Sequence, residues 1–200
     1  MKALAAMTLH RPCIALAMAL FPTAAWAHDG HTGAGGLYAG LAHPLTGIDH
    51  LAAMLLVGIW AGLLAGKSRA AMALPAAFLG AMLAGFLVGP SIAGGFTEPL
   101  ILLSLVALGA AAAFRLRTPL PLALTAVAVF GFAHGMAHGF ETPSGAFPAL
   151  FAAGFAIATA ALHGVGLWLA RVLPAPIMRM LGAAGAGLGL TLGLTLGLSG

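Results

Sequence analysis

Charge is what this sequence has least of. Of its 200 residues 6% are charged, four acidic and eight basic, while 62% are hydrophobic. A soluble domain carries about 25% charged residues, so this chain has too little polar surface to cover a globule in water. Lipid is its expected solvent. The pI is near 10.3, yet the eight Lys and Arg are scattered and form no basic patch, which excludes nucleic acid as a partner. The phosphate-binding loop pattern, GxxxxGK followed by Ser or Thr, is also missing, which argues against ATP-driven pumping by this chain.

Cysteine is nearly absent too, and the single one, Cys13, lies in a segment of its own character. Lys2, His10 and Arg11 give a positive start, Cys13 to Phe21 is a short apolar run, and Ala25-Trp26-Ala27 puts small residues at −3 and −1. This is the pattern of a secretory signal peptide over residues 1–27. The other reading is an uncleaved first membrane helix, for which the apolar run is short. Cleavage after Ala27 removes Cys13. The mature chain then has no disulfide and no thiolate, so a metal site would rest on nitrogen and oxygen donors, with Met as the soft addition.

What is present in quantity is apolar sequence. After a short His-containing segment at 28–37, runs at about 38–65, 70–89, 98–114, 119–140, 147–170 and 177–198 predict six transmembrane helices within 38–200. At about 20 residues per span they leave no room for a soluble domain. The expectation is therefore an all-α membrane protein of six helices behind a cleaved signal. Lys67, Arg69, Arg115, Arg117, Arg171 and Arg179 all fall on one side of these spans, and Asp29, Glu98 and Glu141 fall on the other. The positive-inside rule makes the basic side cytoplasmic and both termini periplasmic. Export by a signal peptide requires the same orientation independently. In the last helix Gly185, Gly189, Gly193 and Gly197 recur every four residues, a smooth face read as helix packing rather than a substrate groove.

Against this background the few intramembrane polar residues stand out. A charged side chain near the bilayer centre costs about 2.5–3.5 kcal/mol on insertion scales, so such residues face the bundle interior. In HPLTGIDH, His43 and His50 are seven apart on one face, with Asp49 beside His50 and still able to point inward. In AHGMAHGFE, His134 and His138 are at i and i+4 and Glu141 follows three later. The first helix enters from outside and the fourth leaves to it, so both clusters fall in the outer half of the membrane. An inverted repeat of three plus three helices would place one of them in the inner half; one shared outer site is expected instead. His163 lies deeper and has two readings, a station towards the cytoplasm or an interhelical hydrogen-bonder.

Imidazole and carboxylate donors suit Ni²⁺, Co²⁺, Zn²⁺, Cu²⁺ or Fe²⁺. The main competing use of the same groups is a proton relay. Cleavage would also expose His28-Asp29-Gly30-His31, where the α-amine and imidazole of His28, with His31, could capture a metal; a plain polar tail reads equally well. Pro44 and Gly47 are expected to loosen the first helix and free carbonyl groups as further ligands.

The sequence resembles the HupE/UreJ family, hydrogenase and urease accessory membrane proteins regarded as nickel permeases. The likeness rests on His43-Pro44, Gly47, Asp49 and His50, which match the pattern HPxxGxDH, and on His134, Ala137, His138, Gly139 and Glu141. The signal, the histidine after it and the six spans extend it over essentially the whole chain. Ala133 departs from the pattern, in which an aromatic commonly precedes the first histidine of the second motif; here Phe132 stands one residue earlier. The resemblance implies uptake of Ni²⁺ as substrate, with no permanent cofactor, across the inner membrane of a Gram-negative bacterium. His43, Asp49, His50, His134, His138 and Glu141 would form the metal site. A periplasmic metal supplier and a second copy of the chain are the partners to consider besides lipid. Two readings from other classes remain, an intramembrane metalloenzyme with an open metal position and a non-transporting metal sensor or assembly protein. The sequence offers no further catalytic group to define a reaction.

Overall fold

The structure, a computed structural model, describes residues 33–66, 68–92 and 95–199. The signal peptide read at 1–27, with Cys13, and the His28–His31 pair lie outside the described residues, as does Lys67.

Every apolar run within those residues becomes a helix, and among them there is no strand. The helices are α1 (Gly33–Thr46), α2 (Ile48–Ala65), α3 (Ala73–Val88), α4 (Thr97–Ala113), α5 (Leu120–Phe140), α6 (Pro148–Val172) and α7 (Ala175–Ser199). Short 3-10 turns at Arg69–Met72 and Gly89–Ser91 extend α3 at both ends. Proline stands where its missing N–H costs little: Pro148 opens α6 and Pro121 lies in the first turn of α5. Gly66 stops α2 at a φ of 60°, which L side chains rarely adopt, and its N–H reaches the Gly62 carbonyl at 2.9 Å.

Five stretches are long and apolar enough to cross a membrane: Ile48–Ala65, Ala70–Ser91, Leu120–Phe140, Pro148–Val172 and Ala175–Gly197. The run expected to span at 98–114 forms α4, a shorter apolar helix of 17 residues. At 1.5 Å per residue it is about 26 Å long, against a hydrocarbon core of about 30 Å. The first expected span, 38–65, is two helices rather than one. Pro44 cannot donate to the preceding turn of α1, and Gly47 turns extended at φ −89° and ψ 114°. Two carbonyls at this break are engaged within the chain. His43 O accepts from Thr46 Oγ1 at 2.8 Å and Gly47 O from Leu51 N at 2.9 Å.

Three close pairings build the bundle. α3 and α5 run parallel, because Phe78, Met82 and Phe86 meet Gly131, Gly135 and Gly139 in order. α6 runs parallel to α1 and α2, with Gly40 against Phe151 and Gly58 against His163 and Gly166. α4 and α7 run antiparallel, with Gly109 against Ala186 and Gly182 against Ala113. A Cβ added at Gly135 would overlap the Met82 carbonyl, and one at Gly58 the His163 carbonyl, so the backbones touch and only glycine fits. The expected glycine face of the last helix is divided. Gly185 meets Leu56 and Gly189 meets Leu102 and Leu105, whereas an added Cβ at Gly193 or Gly197 would meet nothing within 4 Å.

Leu87, Phe114, Met180 and Leu194 are 66–78% exposed, an apolar exterior that suits lipid. Arg179 donates from Nε to the Ala113 carbonyl at 3.2 Å, tying the start of α7 to the end of α4, where Arg115 and Arg117 follow. Asp49 and Glu98 line one cleft at the opposite end of α4. The bundle thus has a basic end and an acidic end.

Candidate metal centre

The break at Gly47 builds the site. It closes α1 just after His43 and opens α2 with Asp49 and His50 in the first turn. A Cβ on Gly47 would lie 2.9 Å from Asp49 Oδ1 and 3.4 Å from His50 Nδ1. Its φ and ψ suit any residue, so glycine is needed there for room. On the other side, Gly131, Gly135 and Gly139 press α5 against α3, which turns the neighbouring His134 and His138 into the bundle, both 0% exposed.

The two motifs meet. His43 Nε2–H donates to Glu141 Oε2 at 3.0 Å. The His43 ring lies 4.9 Å from that of His138, and His50 lies 4.8 Å from His138 and 5.1 Å from His134. Candidate ligand atoms of His43, His138 and Glu141 fall within 4.8 Å of one another. Bonds of about 2.1 Å place tetrahedral donors about 3.4 Å apart, so this trio would close by up to about an ångström or a little more around an ion. Exposure falls from the Glu141 side chain at 46% and His43 at 26% to His50 at 9%. The site has a wet rim and a buried floor.

Tautomers follow from the partners. His134 Nδ1–H donates to the Phe130 carbonyl at 2.9 Å, because a carbonyl only accepts; its Nε2 therefore carries a lone pair. His50 Nδ1 lies 3.1 Å from Asp49 Oδ1, so the carboxylate holds that N–H and leaves Nε2 as an acceptor. His50 Nε2, His134 Nε2 and both ring nitrogens of His138 are buried without a partner among the described residues. Buried polar atoms are normally satisfied, and a cation bound among these lone pairs would satisfy several at once. Asp49, read from sequence as a ligand, stands behind His50 in this arrangement.

His163 is not in the cluster. It is 2% exposed on α6, its ring 5.2 Å from Phe78, which in turn lies 5.3 Å from His134. Neither of its ring nitrogens has a hydrogen-bond partner, so the interhelical hydrogen bond considered for it is not formed among the described residues. Phe78, Phe151 and Phe155 were not singled out in the sequence, yet they wall the site. Phe155 stacks on His138 at 4.8 Å and Phe151 lies 5.4 Å from His43. Their spacing at i and i+4 carries no contrast inside helices that are apolar all round. Ala133, the departure noted above, is a buried residue at 2% exposure.

The HupE / UreJ protein family matches residues 16–193. Protein HupE of Rhizobium leguminosarum bv. viciae is 39% identical over 158 residues, covering 78% of this chain and 81% of that protein. No solved structure matches the chain. With its long apolar helices it is a multi-pass membrane protein. On the extent of both matches, the chain belongs to the HupE / UreJ family.

Proposed function

We propose that this chain is a secondary permease that carries a divalent transition metal, Ni²⁺ first among them, from the periplasm to the cytoplasm for hydrogenase or urease maturation. The observation that carries the reading is the convergence of His43, His50, His134 and His138 at one end of the bundle, where buried ring nitrogens of the last three have no protein partner among the described residues. Family membership supports it. Imidazole with carboxylate suits Ni²⁺ and its neighbours in the series, and Co²⁺, Cu²⁺, Zn²⁺ and Fe²⁺ are the competitors. A proton relay through the same groups is the competing use; the buried lone pairs of His50, His134 and His138 suit a bound cation.

In this reading residues 1–27 are removed on export, His28 and His31 capture the ion, and the acidic end faces the periplasm. The basic end, with Arg115, Arg171 and Arg179, faces the cytoplasm across the inner membrane. The ion enters at Glu141 and His43 and descends to His50, His138 and His134. The protein is a carrier and not an enzyme.

The test is reconstitution into liposomes loaded with a metal-responsive dye. Added Ni²⁺ should quench or light the dye with the natural chain and not with His50→Ala. A chain that binds Ni²⁺ but never passes it to the lumen would be a sensor, an assembly protein or a metalloenzyme.

A further inference from the structure

Beyond the cluster, towards the basic end, a half-open groove of about 420 Å³ lies between α3 and α6, with Met72 and Trp168 of its lining each 58% exposed. Met72, Leu79, Gly164, Trp168 and Arg171 line it, and so does His163. His163 is 2% exposed and both of its ring nitrogens lack a protein partner among the described residues. Leaving both in contact with hydrocarbon is unfavourable, whereas water or a cation satisfies them. At about 30 Å³ of liquid volume per water, the groove has room for several. Arg171, at its far end, sits where α6 reaches the basic surface.

One side chain is in ring contact with both His163 and the outer cluster. Phe78 is 0% exposed and packs against both imidazoles, its ring 5.3 Å from that of His134 and 5.2 Å from that of His163. A buried apolar ring in contact with two imidazoles is unfavourable to water and ions and can rotate about two side-chain bonds.

We propose that the groove between α3 and α6 is an aqueous inner vestibule in which His163 receives the metal ion, and that Phe78 closes the passage from the outer cluster. This rests on the permease reading for the ion, but not for the water. The ion then leaves past Arg171 with its charge still partly shielded by solvent. The competing occupant is a lipid chain, because much of the lining is apolar.

The near absence of cysteine gives a direct test. In a Cys13→Ser background, Gly164→Cys and His163→Cys are each exposed to a membrane-impermeant thiol reagent from one face of the membrane at a time. Gly164 has nothing within 4 Å of an added Cβ, so its variant should fold even where the histidine variant does not. Both thiols should react from the basic face and not from the acidic face, and adding Phe78→Ala should open reaction from the acidic face. Ni²⁺ on the basic face should slow modification of Gly164→Cys several-fold, and His163→Ala should abolish that protection. Reaction only with a lipid-soluble maleimide would put lipid in the groove and overturn the proposal. So would reaction from the acidic face with Phe78 intact, or no reaction at all. Labelling as expected without dye response in liposomes would leave the vestibule standing and remove the permease.

Discussion

Asp49 holds His50 from behind: Oδ1 and Nδ1 lie 3.1 Å apart, and the opposite nitrogen, Nε2, is buried without a protein partner. A carboxylate in this position fixes the tautomer and raises the basicity of a ligating imidazole, and losing such a partner costs about 10–100-fold in metal affinity. Asp49→Ala should therefore weaken Ni²⁺ binding to the purified protein by that order, measured by titration in detergent. Asp49→Asn, whose amide oxygen still accepts from Nδ1–H, should retain more affinity, and His50→Ala less than either. An Asp49→Asn variant as weak as His50→Ala would make Asp49 a direct ligand.

The room that this pair occupies comes from Gly47. An added Cβ would stand 2.9 Å from Asp49 Oδ1, closer than real Cβ contacts come, while the backbone there suits alanine. Gly47→Ala should consequently leave the amount of membrane-inserted protein unchanged and cut Ni²⁺ uptake at least tenfold, by turning Asp49 away from His50. Uptake at the natural rate in radiolabelled-nickel assays would mean the two side chains have slack that the geometry does not suggest.

The polar half of this site was legible because polarity is rare here. His43, Asp49 and His50 on one helix and His134, His138 and Glu141 on another share a depth that follows from helix count and direction alone. The break at Gly47 was half legible. Pro44 and Gly47 flagged a loosened helix, but the two separate helices follow from the extended Gly47 backbone. The aromatic wall was not legible, since Phe78, Phe151 and Phe155 are apolar residues among apolar residues and pattern gives no face to choose. Glycine misled for a related reason. The regular spacing in the last helix drew attention to Gly193 and Gly197, which meet nothing, while Gly131, Gly135 and Gly139 touch a neighbouring backbone. Which glycine is needed depends on which helix lies beside it, and that pairing is a property of the fold.

That difference between glycines can be measured. Gly135 lies against the Met82 backbone with no space for a methyl group, and the same contact aims His134 inward. Overpacking a tight contact costs about 1–3 kcal/mol, and here the obstacle is backbone, which cannot rotate away. Gly135→Ala should lower the unfolding midpoint in detergent by several degrees and weaken Ni²⁺ binding with it, because α5 must shift to relieve the clash. Gly193→Ala is the control. Nothing lies within 4 Å of its added Cβ, and alanine is favoured over glycine inside a helix by about 0.5–1 kcal/mol, so its midpoint should hold or rise. If both substitutions lower the midpoint equally, the pairing of α3 with α5 has no special claim on Gly135. If Gly135→Ala alone does so, close approach of these two helices is what sets the depth and direction of the histidine pair.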